Sequence, residues 1–141
     1  MEPIFGDAVA GDLESSLGGN KEGGDDTLTA QADQIVVGDV AEIRANAEGG
    51  DDTLTSTGGT LYGDALTITQ NGGGGDDDFT VSGTGLVFGD ARTLLLSADG
   101  GDDTFAISGL SGKVYGDAFE MFDVSVGGND TFTISGGPGT V

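Results

Sequence analysis

The chain has 141 residues, enough for one domain, and sets 25 acids against four bases for a formal net charge of −21. Nucleic acid and anionic lipid need basic patches, so neither is an expected partner; cations are. With no Cys and no His, disulfide frameworks, thiolate metal sites and most familiar catalytic constellations are excluded.

Acidic, Gly-rich chains tend toward disorder, yet here 35% of the residues are apolar and they recur at regular spacing. No apolar run approaches the length of a membrane span, so no membrane insertion is expected. The opening "MEPIFGDAVAG" lacks the basic and apolar regions of a Sec-type signal peptide. An extracellular destination therefore requires another route or a longer chain.

Taken in order, the chain alternates two phrases. "IFGDA" at 4–8 is followed, after an insertion around "ESSLGGNKE", by "EGGDDTLT" at 22–29. Then come "VVGDV" at 36–40 and "EGGDDTLT" at 48–55, "LYGDA" at 61–65 and "GGGDDDFT" at 73–80. "VFGDA" at 87–91 and "DGGDDTFA" at 99–106 follow, then "VYGDA" at 114–118 and "VGGNDTFT" at 126–133. The second acid of each glycine turn falls at Asp26, Asp52, Asp77, Asp103 and Asp130, spaced 26, 25, 26 and 27 residues apart. In the last four units, 11 residues separate each Gly-Asp word from the next acidic turn.

A unit of this length with glycine corners and no 3.6-residue period is not a helical repeat. "TLTST" at 53–57, "TLYGD" at 60–64 and "LTITQ" at 66–70 read as short strands of period two. Strands returning every 26 residues or so predict an all-β fold, a single parallel β-solenoid (β-roll or β-helix) of about five coils over 1–141, with an irregular first coil over 1–35. Stacking would make inward columns of Leu28, Leu54, Phe79, Phe105 and Phe132, of Ile4, Val36, Leu61, Val87 and Val114, and of Ile43, Ile68, Leu94 and Met121. Ala8, Val40, Ala65, Ala91 and Ala118 supply a small corner column. The three phenylalanines are core residues on this reading, not a binding platform.

Stacking also lines up the acids. Unit charges one strand spacing apart repel by about 0.9 kcal/mol even at the dielectric of water. Over several ladders this rivals the stability of a small domain, roughly 5–15 kcal/mol. A hard divalent cation between successive corners relieves it, since carboxylates and turn carbonyls are its preferred ligands. The reading without an ion is turn chemistry alone: Gly for positive φ and Asp for side-chain turns.

The turn "GDDTLT" at 24–29 resembles the G-x-D-x-U-x part of the nonapeptide G-G-x-G-x-D-x-U-x of RTX, or haemolysin-type, repeat proteins. The matching residues are Gly24, Asp26 and Leu28; Gly50, Asp52 and Leu54; Gly75, Asp77 and Phe79; Gly101, Asp103 and Phe105; Gly128, Asp130 and Phe132. The likeness spans nearly the whole chain, with two departures. The coil is longer than two nonapeptides, and the leading glycine pair is replaced by Lys21-Glu22, Ala47-Glu48, Ala98-Asp99 and Ser125-Val126, surviving only at Gly72-Gly73. The resemblance implies Ca²⁺ as cofactor and a bacterial protein exported by type I secretion, folding on meeting extracellular Ca²⁺ and serving as a structural or adhesive spacer. The expected ligands are Asp26, Asp52, Asp77, Asp103 and Asp130, then Asp25, Asp51, Asp76 and Asp102, with Asp39, Asp64, Asp90 and Asp117 lining the other edge.

An alternative lies on the outward positions beside the acid turns: Thr27, Thr29, Thr53, Thr55, Thr80, Thr104, Thr131 and Thr133, interrupted by Asp78 and Ala106. Regular Thr arrays resemble the ice-binding faces of β-helical antifreeze proteins. Enzymatic activity is not expected, because the acids repeat identically in every unit, whereas a catalytic site is a local break in a pattern. Unpaired strand edges at the solenoid ends lead to an expectation of end-to-end self-association or of a neighbouring domain.

Overall fold

The computed structural model describes residues 2–7, 16–109 and 112–136, and these wind into a parallel β-solenoid of about five coils without a helix. The strands are β1 (Ile4–Phe5), β2 (Ser16–Leu17), β3 (Thr27–Ala30), β4 (Ile35–Val37), β5 (Val40–Ile43), β6 (Thr53–Tyr62) and β7 (Ala65–Thr69). They continue as β8 (Asp78–Phe88), β9 (Ala91–Leu95), β10 (Thr104–Ser108), β11 (Lys113–Tyr115), β12 (Glu120–Met121) and β13 (Thr131–Ser135). One sheet runs β1-β4-β6-β8-β10-β13, with β3 also on β6 and β11 also on β8; the second runs β12-β9-β7-β5-β2. Every pairing is parallel. Single bridges through Glu22, Glu48, Gly73, Asp99 and Val126 make a third, one-residue ladder.

The predicted columns form in register. Leu28, Leu54, Phe79, Phe105 and Phe132 lie opposite one another, as do Ile4, Val36, Leu61, Val87 and Val114. The rings of Phe79, Phe105 and Phe132 stack at centroid distances of 4.6 and 4.7 Å. These columns fill one apolar core, while Ile43, Ile68 and Leu94 fill a second with Val40, Ala65 and Ala91. Leu17 extends the Ile43 column into the irregular first coil. Met121 and Phe132, in the last coil, stay 41% and 37% exposed because no further coil among the described residues covers them. Ala8 lies outside the described residues.

"TLTST" and "TLYGD" are one strand rather than two. β6 runs unbroken from Thr53 to Tyr62 and leaves Gly63 and Asp64 to the corner, and the bend sits in a register shift at Ser56 and Gly58, where the Ser56 hydroxyl bonds to the backbone of Gly58. The coils built on β6 and β8 are therefore two-lobed. The long first-sheet strand bends on itself around the first core, and the shorter second-sheet strand closes around the other through a turn of positive-φ residues such as Gln70 and Asn71. Both crossings between the lobes are made by the repeated words: Gly-Asp outward, the acidic glycine turn back. Those two corners meet at the waist.

Residues alternating with the first core make a third cluster that the sequence reading did not anticipate. Phe5, Val37, Tyr62, Phe88 and Tyr115 form a column on the opposite face of the strand, next to the Gly-Asp corner. Tyr62 stacks on Phe88 at 4.9 Å, and Phe88 on Tyr115 at 5.1 Å.

Candidate functional site

At the waist, each Gly-Asp carboxylate reaches the acidic turn 11 residues later. The backbone N–H of Gly50 donates to Asp39 Oδ2 at 3.0 Å, Gly75 to Asp64 Oδ1 at 2.6 Å, Gly101 to Asp90 Oδ1 at 2.6 Å, and Gly128 to Asp117 Oδ1. Gly24 makes the same bond to Asp7 at 2.9 Å across the longer first unit. The expectation that Asp39, Asp64, Asp90 and Asp117 line a separate edge is therefore corrected. They share one seam with the acidic turns, because the second lobe is a closed loop that returns the chain to its own corner.

The second acids point into the same seam and link neighbouring coils. Asp26 N–H donates to Asp52 Oδ1 at 2.7 Å, Asp52 to Asp77 at 2.7 Å, Asp77 to Asp103 at 2.9 Å and Asp103 to Asp130 at 3.1 Å. The first acids stay outside in an exposed ladder running the other way. Asp51 N–H donates to Asp25, Asp76 to Asp51, Asp102 to Asp76, and Asn129 to Asp102, at 2.7–3.2 Å. Asp25, Asp51, Asp76 and Asp102 thus bond coil to coil in water rather than joining the buried seam.

The glycines of both words are explained by these contacts. A Cβ on Gly63 would collide with Asp77 Oδ2 and the Gly89 carbonyl, and one on Gly74 with the Asp90 carboxylate. From Gly50 onward the second glycine of the acidic turn is needed for a different reason: at Gly75, a side chain would strike the Gly50 backbone of the coil before it.

In Asp39, Asp52, Asp64, Asp77, Asp90 and Asp103 one carboxylate oxygen is bonded and the other is not. Asp26 Oδ2, Asp39 Oδ1, Asp52 Oδ2, Asp64 Oδ2, Asp77 Oδ2, Asp90 Oδ2 and Asp103 Oδ2 are buried without a hydrogen-bond partner. Asp39, Asp64 and Asp90 are 0% exposed, and Asp52, Asp77 and Asp103 1%. Burial is the largest influence on their protonation. It pushes Asp52 up to about 7, Asp39 to about 8 and Asp103 to about 10, against the backbone N–H bonds that pull the other way. Asp64, Asp77 and Asp90 are raised well above the ordinary value by burial together with the charge of neighbouring acids, and Asp26, Asp117 and Asp130 are raised as well.

Buried carboxyls without a counter-charge must either keep a proton or meet a cation. The residues present fit a hard cation in donor chemistry. The seam offers only oxygens, and carbonyls such as Gly63 O and Gly89 O lie beside the unbonded Asp52 Oδ2 and Asp77 Oδ2. Among the described residues no group of three or more acidic side chains is placed to hold a metal ion, so the seam is a row of donors and not a formed metal cage. The threonines form two exposed or half-exposed columns on the outer face, Thr27–Thr53–Asp78–Thr104–Thr131 and Thr29–Thr55–Thr80–Ala106–Thr133. Thr57 drops out of register at the bend.

No protein-family model, no curated protein and no solved structure matches this chain.

The raised carboxyls set a pH dependence in chelator. The unfolded chain releases these protons near the ordinary aspartate value of 3.8, whereas folded Asp52, Asp39 and Asp103 hold theirs to about 7, 8 and 10. Their contribution to stability is thus complete below about pH 4 and lost as pH rises through those values. Thermal melts followed by circular dichroism in chelator should show the midpoint falling across that window; a midpoint that rises with pH would contradict the burial of uncompensated carboxyls.

Proposed function

We propose that this chain is a calcium-binding repeat module, its fold completed when Ca²⁺ neutralises the aspartate seam, and that it serves as a non-enzymatic structural or adhesive spacer of an exported bacterial protein. The single observation that carries the reading is the row of seven buried carboxylate oxygens without partners. Asp39, Asp64, Asp90 and Asp117 from the Gly-Asp corners, with Asp26, Asp52, Asp77, Asp103 and Asp130 from the acidic turns, would hold the ion. When bound, Ca²⁺ supplies positive charge and accepts oxygen donors in a variable geometry, which suits a seam assembled from carboxylates and turn carbonyls.

What the chain's own residues contribute is pre-alignment. Each Gly-Asp carboxylate is fixed by a glycine N–H and each second acid by the preceding coil, so the unbonded oxygens are oriented by the same contacts that close the coil. At neutral pH and without a counter-charge, repulsion along the seam opposes folding. That property suits passage through a secretion channel from low-calcium cytosol, with folding in millimolar extracellular Ca²⁺. The RTX-like turn words support the same reading.

Far-UV circular dichroism during a titration from chelator into millimolar Ca²⁺, with Mg²⁺ in parallel, tests it. At pH 8 a coil-to-sheet transition is expected with Ca²⁺ and not with Mg²⁺. Asp64→Asn, which removes one buried charge, should fold more readily in chelator and need about ten-fold more Ca²⁺ for any remaining transition. Equal folding of the native chain in chelator and in Ca²⁺ would leave the seam as protonated turn chemistry.

The in-register threonine columns favour a second reading, ice binding, because they set hydroxyls about 4.8 Å apart between coils and about 6.8 Å apart along strands. Thermal hysteresis lost on Thr53→Tyr would support it; freezing at the equilibrium temperature would remove it.

A further inference from the structure

The aromatic column beside the Gly-Asp corner does not lie on a flat surface. It forms the floor of a groove between the outer faces of the two sheets, about 420 Å³, lined by Tyr62, Leu86, Phe88, Arg92, Lys113, Tyr115 and Phe119. Strand register explains the walls. On the first-sheet side Ile35, Thr60, Leu86 and Lys113 stack in one column. On the second-sheet side Leu66 precedes Arg92 by one coil, between the paired Ala65–Ala91 and Thr67–Thr93, and Phe119 N–H donates to the Arg92 carbonyl. In the earlier coils Ile35, Val37 and Leu66 pack against the buried Tyr62 and Phe88, whereas in the later coils the walls carry Arg92 and Lys113.

The charge of this groove is opposite to that of the molecule. The chain has 25 acids and four bases, yet two of those bases line this one cavity and no acid does. Neither base is paired: among the described residues the only ion pair is Arg44 with Glu42, at 3.7 Å. An apolar, aromatic floor with cations on both walls matches an anion that carries a flat apolar body. The body would lie on the Tyr115 and Phe119 end of the floor, where the exposed Phe119 ring meets Tyr115 edge-on at 5.6 Å, with the anionic group between the two cations. We propose that this groove is a binding site for a small organic anion of the aryl carboxylate or sulfonate type, with Arg92 and Lys113 as the charge-recognising residues. The site is distinct from the aspartate seam and independent of what neutralises that seam.

The test uses naphthalene-2-sulfonate and the neutral naphthalene-2-methanol as probes. They are titrated calorimetrically and by ¹H–¹⁵N NMR into the full chain, in whichever of chelator or Ca²⁺ circular dichroism shows it folded. The sulfonate should bind once per chain, about ten-fold or more tighter than the neutral probe, with the largest shifts at Lys113, Tyr115 and Phe119. Arg92→Gln with Lys113→Gln should reduce the preference to less than about two-fold without changing the circular dichroism. The charge-matched pair Lys21→Gln with Arg44→Gln should leave it intact. Absence of saturable binding, equal affinity for both probes, equal loss in the two double variants, or shifts centred on the exposed Phe132 and Ile134 of the last coil would each overturn the proposal.

Discussion

A carboxylate lying over the glycine of a neighbouring corner, where a side chain would otherwise be, holds the two lobes of the coil together. Asp77 over Gly63 and Asp90 over Gly74 are instances of one arrangement repeated along the axis. It fixes the words GD and GGDD together: the glycine of GD and the first glycine of GGDD each leave room for an aspartate of the other word, and the seam carboxylates from Asp39 to Asp130 take a backbone N–H across the waist or from the coil before. The apolar cores lie on either side of that lock.

The lock concentrates like charge in the driest part of the molecule. Desolvation and repulsion from neighbouring acids both act against ionisation, which is why Asp64, Asp77 and Asp90 are raised well above the ordinary carboxylate range. The exposed ladder of Asp25, Asp51, Asp76 and Asp102 makes comparable hydrogen bonds in water. Two ladders of the same residue type, one position apart in sequence, therefore differ in consequence through burial alone. The seam couples the state of the fold to the supply of protons and, on the proposed function, of cations; the outer ladder adds hydrogen bonds between coils.

Much of this was legible in the sequence. The solenoid, its inward columns and the outward threonines follow from two markers keeping register, because side chains in stacked parallel strands take the faces that their period dictates. The seam was missed through its partner rather than its members. From the sequence alone Asp52 and Asp77 read as one ladder and Asp39 and Asp64 as a separate edge, since strand periodicity does not say how a coil folds back on itself. The constant 11 residues from each Gly-Asp to the next acidic turn carried that information: a loop of invariant length between two invariant corners is a closed loop. The aromatic column was hidden for a related reason. Tyr62 and Phe88 occupy outward positions by parity and are buried only because the second lobe folds against them.

The central claim is that the seam is ionised when folded with Ca²⁺, rather than protonated. Carboxyl ¹³C chemical shifts distinguish the two forms residue by residue. At pH 7.5 in saturating Ca²⁺, Asp64, Asp77, Asp90 and Asp103 should give the shifts of carboxylates while the sheet signals remain intact. Shifts of neutral carboxylic acids at those four residues, unchanged between chelator and Ca²⁺, would contradict the account and leave the proton as the seam's only counter-charge.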